Sequence, residues 1–122
     1  MYDIILFNKE EAQMDTQLKK GLLDTCILKC LEKEDSYGYK LINDVSAHVE
    51  VSESTLYPIL KRLEEAKYLS TYKEEHNNRL RKYFKITDEG RKKLKEQIKE
   101  VQKLREVIKF IEKEYEGEKE NG

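Results

Sequence analysis

Tryptophan is missing from this 122-residue chain, proline occurs once and glycine five times. So few helix breakers exclude a collagen-like or proline-rich scaffold and leave room for long helices. Two cysteines, Cys26 and Cys30, are too few for a disulfide framework. That usage fits a reducing compartment. No apolar run approaches the ~18 residues of a membrane span, and the Ile4–Phe7 patch lacks the length and basic leader of a signal-peptide core. The chain is therefore expected to be soluble and cytoplasmic, without a membrane partner. A charge excess is missing too, because 24 Lys and Arg oppose 25 Asp and Glu. Any electrostatic signature of a nucleic-acid partner must be local. What is present, 38% hydrophobic and 40% charged residues, supplies one small domain whose core needs efficient helix packing or a second subunit. A two-domain enzyme around a cleft is excluded.

Residues 1–15 carry a small apolar cluster that does not join the pattern after Met14, and are expected to form an arm, disordered or non-native. From Thr16 to Lys33, Leu18, Leu22, Leu23, Cys26, Ile27, Cys30 and Leu31 recur at helical spacing, which predicts a first helix with one broad buried face. Ser36 is placed as the N-cap of a second helix carrying Tyr37, Leu41, Ile42 and Val45, and Gly38 in its first turn implies a close backbone approach. A third helix opens at Ser52, with Val51 and Leu56 spaced as a hydrophobic staple, and runs to about Lys67. Tyr68–Glu75 and Leu80–Thr87 are rich in aromatic and β-branched residues around His76-Asn77-Asn78-Arg79, which predicts a hairpin.

Asp88 and Glu89 meet the dipole at the start of a last helix. Along it Leu94, Ile98, Val101, Leu104, Ile108, Ile111 and Tyr115 step by three or four residues, the spacing of a coiled-coil seam. The predicted domains are a three-helix-and-hairpin unit at 16–87, a dimerisation helix at 88–116 and a frayed tail at 117–122. The fold class is mainly α with a small β-hairpin, in the element order of a winged helix-turn-helix plus a long pairing helix.

On the third helix Leu56, Ile59, Leu60 and Leu63 share an apolar sector, while Ser54, Pro58, Lys61, Arg62 and Glu65 fall opposite with Thr55 and Tyr57 at the flanks. Small hydroxyls followed by a tyrosine and cations suit a helix entering a major groove. A solvated helix face would carry similar charges, but not Pro58. Proline inside a helix costs roughly 3 kcal/mol, and a face meant only for water gains nothing from it. The hairpin adds a second local sign, because His76–Lys85 holds Arg79, Arg81, Lys82 and Lys85 without an acid. Residues 40–85 carry 9 basic against 7 acidic groups, whereas residues 1–39 carry 5 against 8. The cationic tip suits phosphates or a minor groove.

The stretches LKKGLLDTCILKCLEKEDSYGYKLINDV, ESTLYPILKRLEEAKYL and RKYFKITDEGRKKL, between Leu18 and Leu94, resemble the PadR family of bacterial transcriptional regulators over about two-thirds of the chain. The helix after Leu94 resembles that of the short PadR-like subgroup. The resemblance implies a homodimeric repressor on a pseudo-palindromic duplex, whose last helix pairs with the partner's first helix. It places Ser54, Thr55, Tyr57, Pro58 and Lys61 at DNA, Tyr39 and Lys40 at phosphate, and Arg79, Arg81 and Lys82 on the wing. Leu18 and Leu22 join the seam at the dimer interface. Two departures stand out. Ala66-Lys67 replaces the usual glycine before the first wing strand, so the helix is expected to end differently, and Asn77-Asn78 replaces glycine and proline at the wing tip.

A metal reading of Cys26 and Cys30 would need His48 or His76, which lie on other elements with no ligand spacing, so the cysteines are expected to be buried apolar residues, with no cofactor. No serine, histidine and acid relay or glycine-rich phosphate loop is present, which argues against an enzyme. Tyr2, Phe7, Phe110 and Tyr115 would offer an aromatic small-molecule effector a site if both termini meet at the dimer interface. The competing reading is a winged-helix module that binds another protein rather than DNA.

Overall fold

The computed structural model describes the backbone from Thr16 to Asn121 and the side chains of residues 21–113. The helices are α1 (Thr16–Lys33), α2 (Gly38–Ser46), α3 (Glu53–Glu65) and α4 (Asp88–Asn121), and the strands are β1 (Ser36–Tyr37), β2 (Leu69–His76) and β3 (Arg79–Ile86). The N-terminal arm and the side chains of Leu18 and Tyr115 lie outside the described residues. No helix among the described residues is long and apolar enough to cross a membrane.

One core holds the helices to the sheet. Leu23, Ile27 and Leu31 of α1 meet Leu41 and Val45 of α2, Leu56 and Leu60 of α3, and Phe84 and Ile86 of β3, all buried. Each such side chain contributes about 1.5–3 kcal/mol relative to exposure. The face of α1 is narrower than its spacing implies. Leu28 is sealed in the core, whereas Leu22, Cys26 and Cys30 stand half-buried along a neighbouring ridge of the helix.

Ser36 does not cap α2. It pairs with Phe84, and Tyr37 pairs with Tyr83, giving a three-stranded antiparallel sheet in the order β1-β3-β2. Tyr37 takes the cap position with extended backbone and no side-chain bond. A two-residue strand is too short to show a period of two. β3, which supplies its pairing, is far away in sequence.

The hairpin pairs Leu69 with Ile86 through to His76 with Arg79, leaving a two-residue turn. Asn77 and Asn78 have φ of 52° and 64°. Positive φ at both turn residues is the condition of a type I′ turn, which asparagine meets more readily than other side-chain-bearing residues. α3 ends in a Schellman motif: the Tyr68 N–H donates to the Leu63 carbonyl at 3.0 Å and the Lys67 N–H to Glu64 at 2.9 Å. Lys67 occupies the left-handed position at φ 66°. The helix thus closes in the geometry expected of glycine, correcting the inference that Ala66-Lys67 would end it differently.

Thr87 joins the wing to α4. Its hydroxyl accepts from the Gly90 N–H at 3.0 Å and donates to the Lys67 carbonyl at 2.7 Å. Thr87 is therefore the N-cap, one residue before the acids that mark the helix start. A Cβ on Gly90 would collide with the Tyr68 carbonyl, so α4 approaches this turn more closely than alanine allows. α4 continues to Asn121, and the stretch expected to fray is helical. Glu118, Lys119 and Glu120 are good helix formers, and Gly117 costs a helix interior only about 1 kcal/mol.

Candidate nucleic-acid interface

α3 buries Leu56, Ile59, Leu60 and Leu63 and turns Ser54, Thr55, Tyr57, Pro58 and Lys61 outward, all exposed. The staple pair falls where expected, with Val51 before the Ser52 cap and Leu56 at the fourth helical position. Ser52 does not cap a backbone amide. Its hydroxyl instead lies 3.0 Å from the Ser54 hydroxyl and 3.2 Å from that of Thr55, so three hydroxyls cluster at the start of the helix. Pro58 lies within the helix, which continues through it. Its missing N–H leaves the Ser54 carbonyl without its usual helical donor.

Tyr57 is positioned by Gly38. A Cβ at residue 38 would fall 2.5 Å from the tyrosine Oη and 2.8 Å from a ring carbon, so the hydroxyl end of the ring sits directly against bare backbone. The close approach expected at Gly38 is thus to a candidate DNA-facing side chain. A second tie fixes α3 from behind: Arg62 donates to both carboxylate oxygens of Asp24 on α1, at 2.8 and 2.9 Å. Bidentate pairing holds the helix orientation more firmly than a single contact would.

The cations differ in what already holds them. Lys40 donates to Glu34 at 3.0 Å and to Asp44 at 3.1 Å, and these bonds push its pKa above the usual lysine range. Its neighbour Tyr39 is 63% exposed. Arg81 is half-buried with its guanidinium 4.4 Å from the centre of the Tyr37 ring. Lys82 lies 3.8 Å from the Glu64 carboxylate, which also accepts from Thr71 at 3.0 Å. Arg79 follows the tip turn, exposed, and makes no ion pair among the described residues. Lys61 is equally unpaired there. The acid-free segment is also less isolated than its sequence implies, because pairing sets Glu74 beside Arg81 and Glu75 beside Leu80.

A tyrosine row, missed by the sequence reading, braces the wing. Tyr72 stacks on Tyr83 with centroids 5.4 Å apart, and Tyr83 meets Tyr37 edge-on at 5.6 Å. The Tyr72 hydroxyl donates to Asp35 at 2.8 Å, which pushes its pKa up to about 12. The equal distance of Tyr72 and Tyr83 from the Asn77-Asn78 turn was the available signal. It pointed to one sheet face but not to β1.

The seam residues divide. Leu94 is buried inside the monomer and Ile98 packs against the same core, so Leu94 is not available to a partner, correcting its place in the dimer set. Its spacing fits both roles because the seam simply continues the core stripe. Further along, Val101 is half-buried, while Leu104, Ile108 and Ile111 are exposed with Val107 beside them. Phe110, expected at an effector site, is 75% exposed and lies off that stripe; Tyr2, Phe7 and Tyr115 lie outside the described side chains.

Comparison with known proteins agrees with this architecture. Residues 27–96 match the transcriptional regulator PadR-like family. The chain is 32% identical over 94 residues to an uncharacterised protein of Lysinibacillus sphaericus, spanning 73% of this chain and 86% of that one. It is similar to a solved Streptococcus mutans structure at 43% identity and TM-score 0.71, covering 75% of this chain and 88% of that chain. A PadR family transcription regulator from Clostridium difficile is similar at 30% identity and TM-score 0.68, covering 73% and 96%.

Proposed function

Since this chain belongs to the PadR-like family of transcriptional regulators, which are not enzymes, we propose that it is a homodimeric repressor that binds double-stranded DNA sequence-selectively. The observation that carries this reading is the outward face of α3, where Tyr57, seated on Gly38, stands beside a hydroxyl cluster and Lys61, which has no ion-pair partner among the described residues. In a dimer two such helices would enter successive major grooves, about 10–10.5 base pairs apart on a pseudo-palindromic site. Lys61, Ser54, Thr55 and Tyr57 meet base edges, with Pro58 as a flat contact, while Arg79 reaches phosphate. Arg81, Lys82 and Lys40 contribute less, because they are already partnered, while exposed Tyr39 remains a phosphate contact.

The exposed stripe of Leu104, Val107, Ile108 and Ile111 supports pairing of α4 with a second chain, beside the half-buried Leu22 ridge of α1. Release by a small aromatic effector is supported by a cleft of about 400 Å³ between α1 and α4, lined by Leu22, Thr25, Gln97, Val101 and Leu104. The Gln97 Oε1 is buried without a hydrogen-bond partner among the described residues, so it offers an acceptor. Gel retardation on the chain's own upstream DNA, at two salt concentrations and against random duplex, tests the reading. A retarded species that survives random competitor is expected. Equal retardation of both duplexes, or none, would leave the protein-binding winged helix as the better account.

A further inference from the structure

The groove between α1 and α2 holds two thiols that the DNA-facing surface does not use. Cys26 and Cys30 lie one turn apart on α1, half-buried, and line a groove of about 620 Å³ that also includes Asn43 and Asp44 of α2 and Ala47 and His48 just past its end. His48 lines the same groove, but it is not gathered closely enough with the two cysteines to act as a third ligand. Three kinds of thiol chemistry can be compared there.

Residues one helical turn apart have Cβ atoms about 5–6 Å apart, whereas a disulfide needs about 3.5–4.5 Å. Joining the sulfurs directly would therefore deform α1. Burial raises both thiols above their ordinary range, with Asp44 adding to this at Cys30, so peroxide, which attacks free thiolate, finds little of it, whereas a soft cation displaces the thiol protons as it binds. A tetrahedral ion needs more ligands, and no three His, Cys, Asp or Glu residues among those described are gathered closely enough to hold a metal. A soft ion that takes two sulfurs in line is different. Two metal–sulfur bonds of about 2.3 Å put the sulfurs roughly 4.6 Å apart, which side chains on one helical ridge can span.

We propose that this groove binds one soft, two-coordinate cation of the Cu(I) and Ag(I) class between the Sγ atoms of Cys26 and Cys30. Two metal–sulfur bonds form, two S–H bonds break and two protons leave to solvent, with no change of oxidation state. The resulting site carries one negative charge; of the charged groups on the groove, Lys33 opposes it and Glu34 and Asp44 disfavour it, while Lys29 is paired with Glu32. The proposal is independent of whether the chain binds DNA.

The test titrates the reduced chain with Ag(I) without oxygen, following ultraviolet thiolate-to-metal absorption and the thiols still open to a thiol reagent. One ion per chain is expected, protecting both thiols together. Changes outside a metal's direct ligands cost about 10–100-fold in affinity, so Cys26→Ser or Cys30→Ser should lose about a hundredfold or more. Two ions per chain with one thiol protected by each, one ion shared between two chains, or serine variants binding as tightly as the parent would overturn the proposal. Joint protection is read on the unsubstituted protein and decides the matter even if a serine variant fails to fold.

Discussion

Alanine at Arg79 should flatten the salt dependence of DNA binding, whereas alanine at Lys40 should leave it almost unchanged. The resemblance places Lys40 at phosphate and Arg79 on the wing, whose cationic tip suits phosphate too, but the structure separates them. Arg79 stands exposed beyond the tip turn without an ion pair among the described residues. Lys40 would have to leave Glu34 and Asp44, at 3.0 and 3.1 Å, to reach a phosphate. Each neutralised phosphate contributes about 0.9 to the slope of log affinity against log salt. A symmetric dimer loses two contacts per substitution, so Arg79→Ala should lower the slope by about 1.8. Between about 50 and 200 mM salt, affinity of the variant should then fall roughly 12-fold less than that of the parent. Arg81→Ala should lie between the two, because leaving the Tyr37 ring costs about 0.5–1 kcal/mol. Fluorescence anisotropy of a labelled duplex across a salt series reads all three slopes. A Lys40→Ala slope reduced as far as that of Arg79→Ala would refute the reasoning.

Gly38→Ala should push the Tyr57 ring off its seat and weaken specific binding roughly tenfold, about 1.4 kcal/mol. The penalty should vanish in a Tyr57→Ala background; if a double-mutant cycle shows no coupling, Gly38 does not act through Tyr57. Lys67→Gly should stabilise the fold by about 0.5–1 kcal/mol in urea unfolding, the relief of a left-handed side-chain-bearing residue less the greater freedom of glycine when unfolded. Lys67→Ala keeps the Cβ and should give no such gain, so equal stability of the two variants counts against strain at this turn. Leu94→Ala should cost about 2–5 kcal/mol of fold stability, whereas Ile108→Glu should leave the fold intact and dissociate the dimer in sedimentation. An unchanged sedimentation coefficient for Ile108→Glu would remove the α4 stripe from the interface.

Elements whose evidence is local were legible in the sequence. The α3 face followed from a short apolar stripe, and the hairpin from two β-rich runs around a polar turn, because both patterns need only neighbouring residues. What escaped depended on distant pairing. Ser36 has the chemistry of a cap, and only β3 turns it into a strand residue. Lys67 takes a conformation that composition assigns to glycine, because the Schellman bonds and the Thr87 hydroxyl hold the turn around it. The cations were visible as charges, but their carboxylate and aromatic partners lie on other elements, as with Lys82 and Glu64. Leu94 and Ile108 share one spacing, and only burial distinguishes the core residue from the exposed one.

Those pairings also give the near-zero net charge a different meaning. Of the 9 basic residues between positions 40 and 85, Lys40, Arg62 and Lys82 are bound to Asp44, Asp24 and Glu64 among others. They orient helices and strands, so they add little to counterion release. With a third of these cations engaged, attraction to random duplex should be weaker than the charge count implies and leave a larger share of binding to Tyr57, Lys61 and the hydroxyl cluster, whose contacts depend on the base edges they meet. One chain presents only one such helix. Two chains would double both kinds of contact at once, so the proposed pairing through the exposed part of α4 would be a condition of selective binding as well as of burying that stripe.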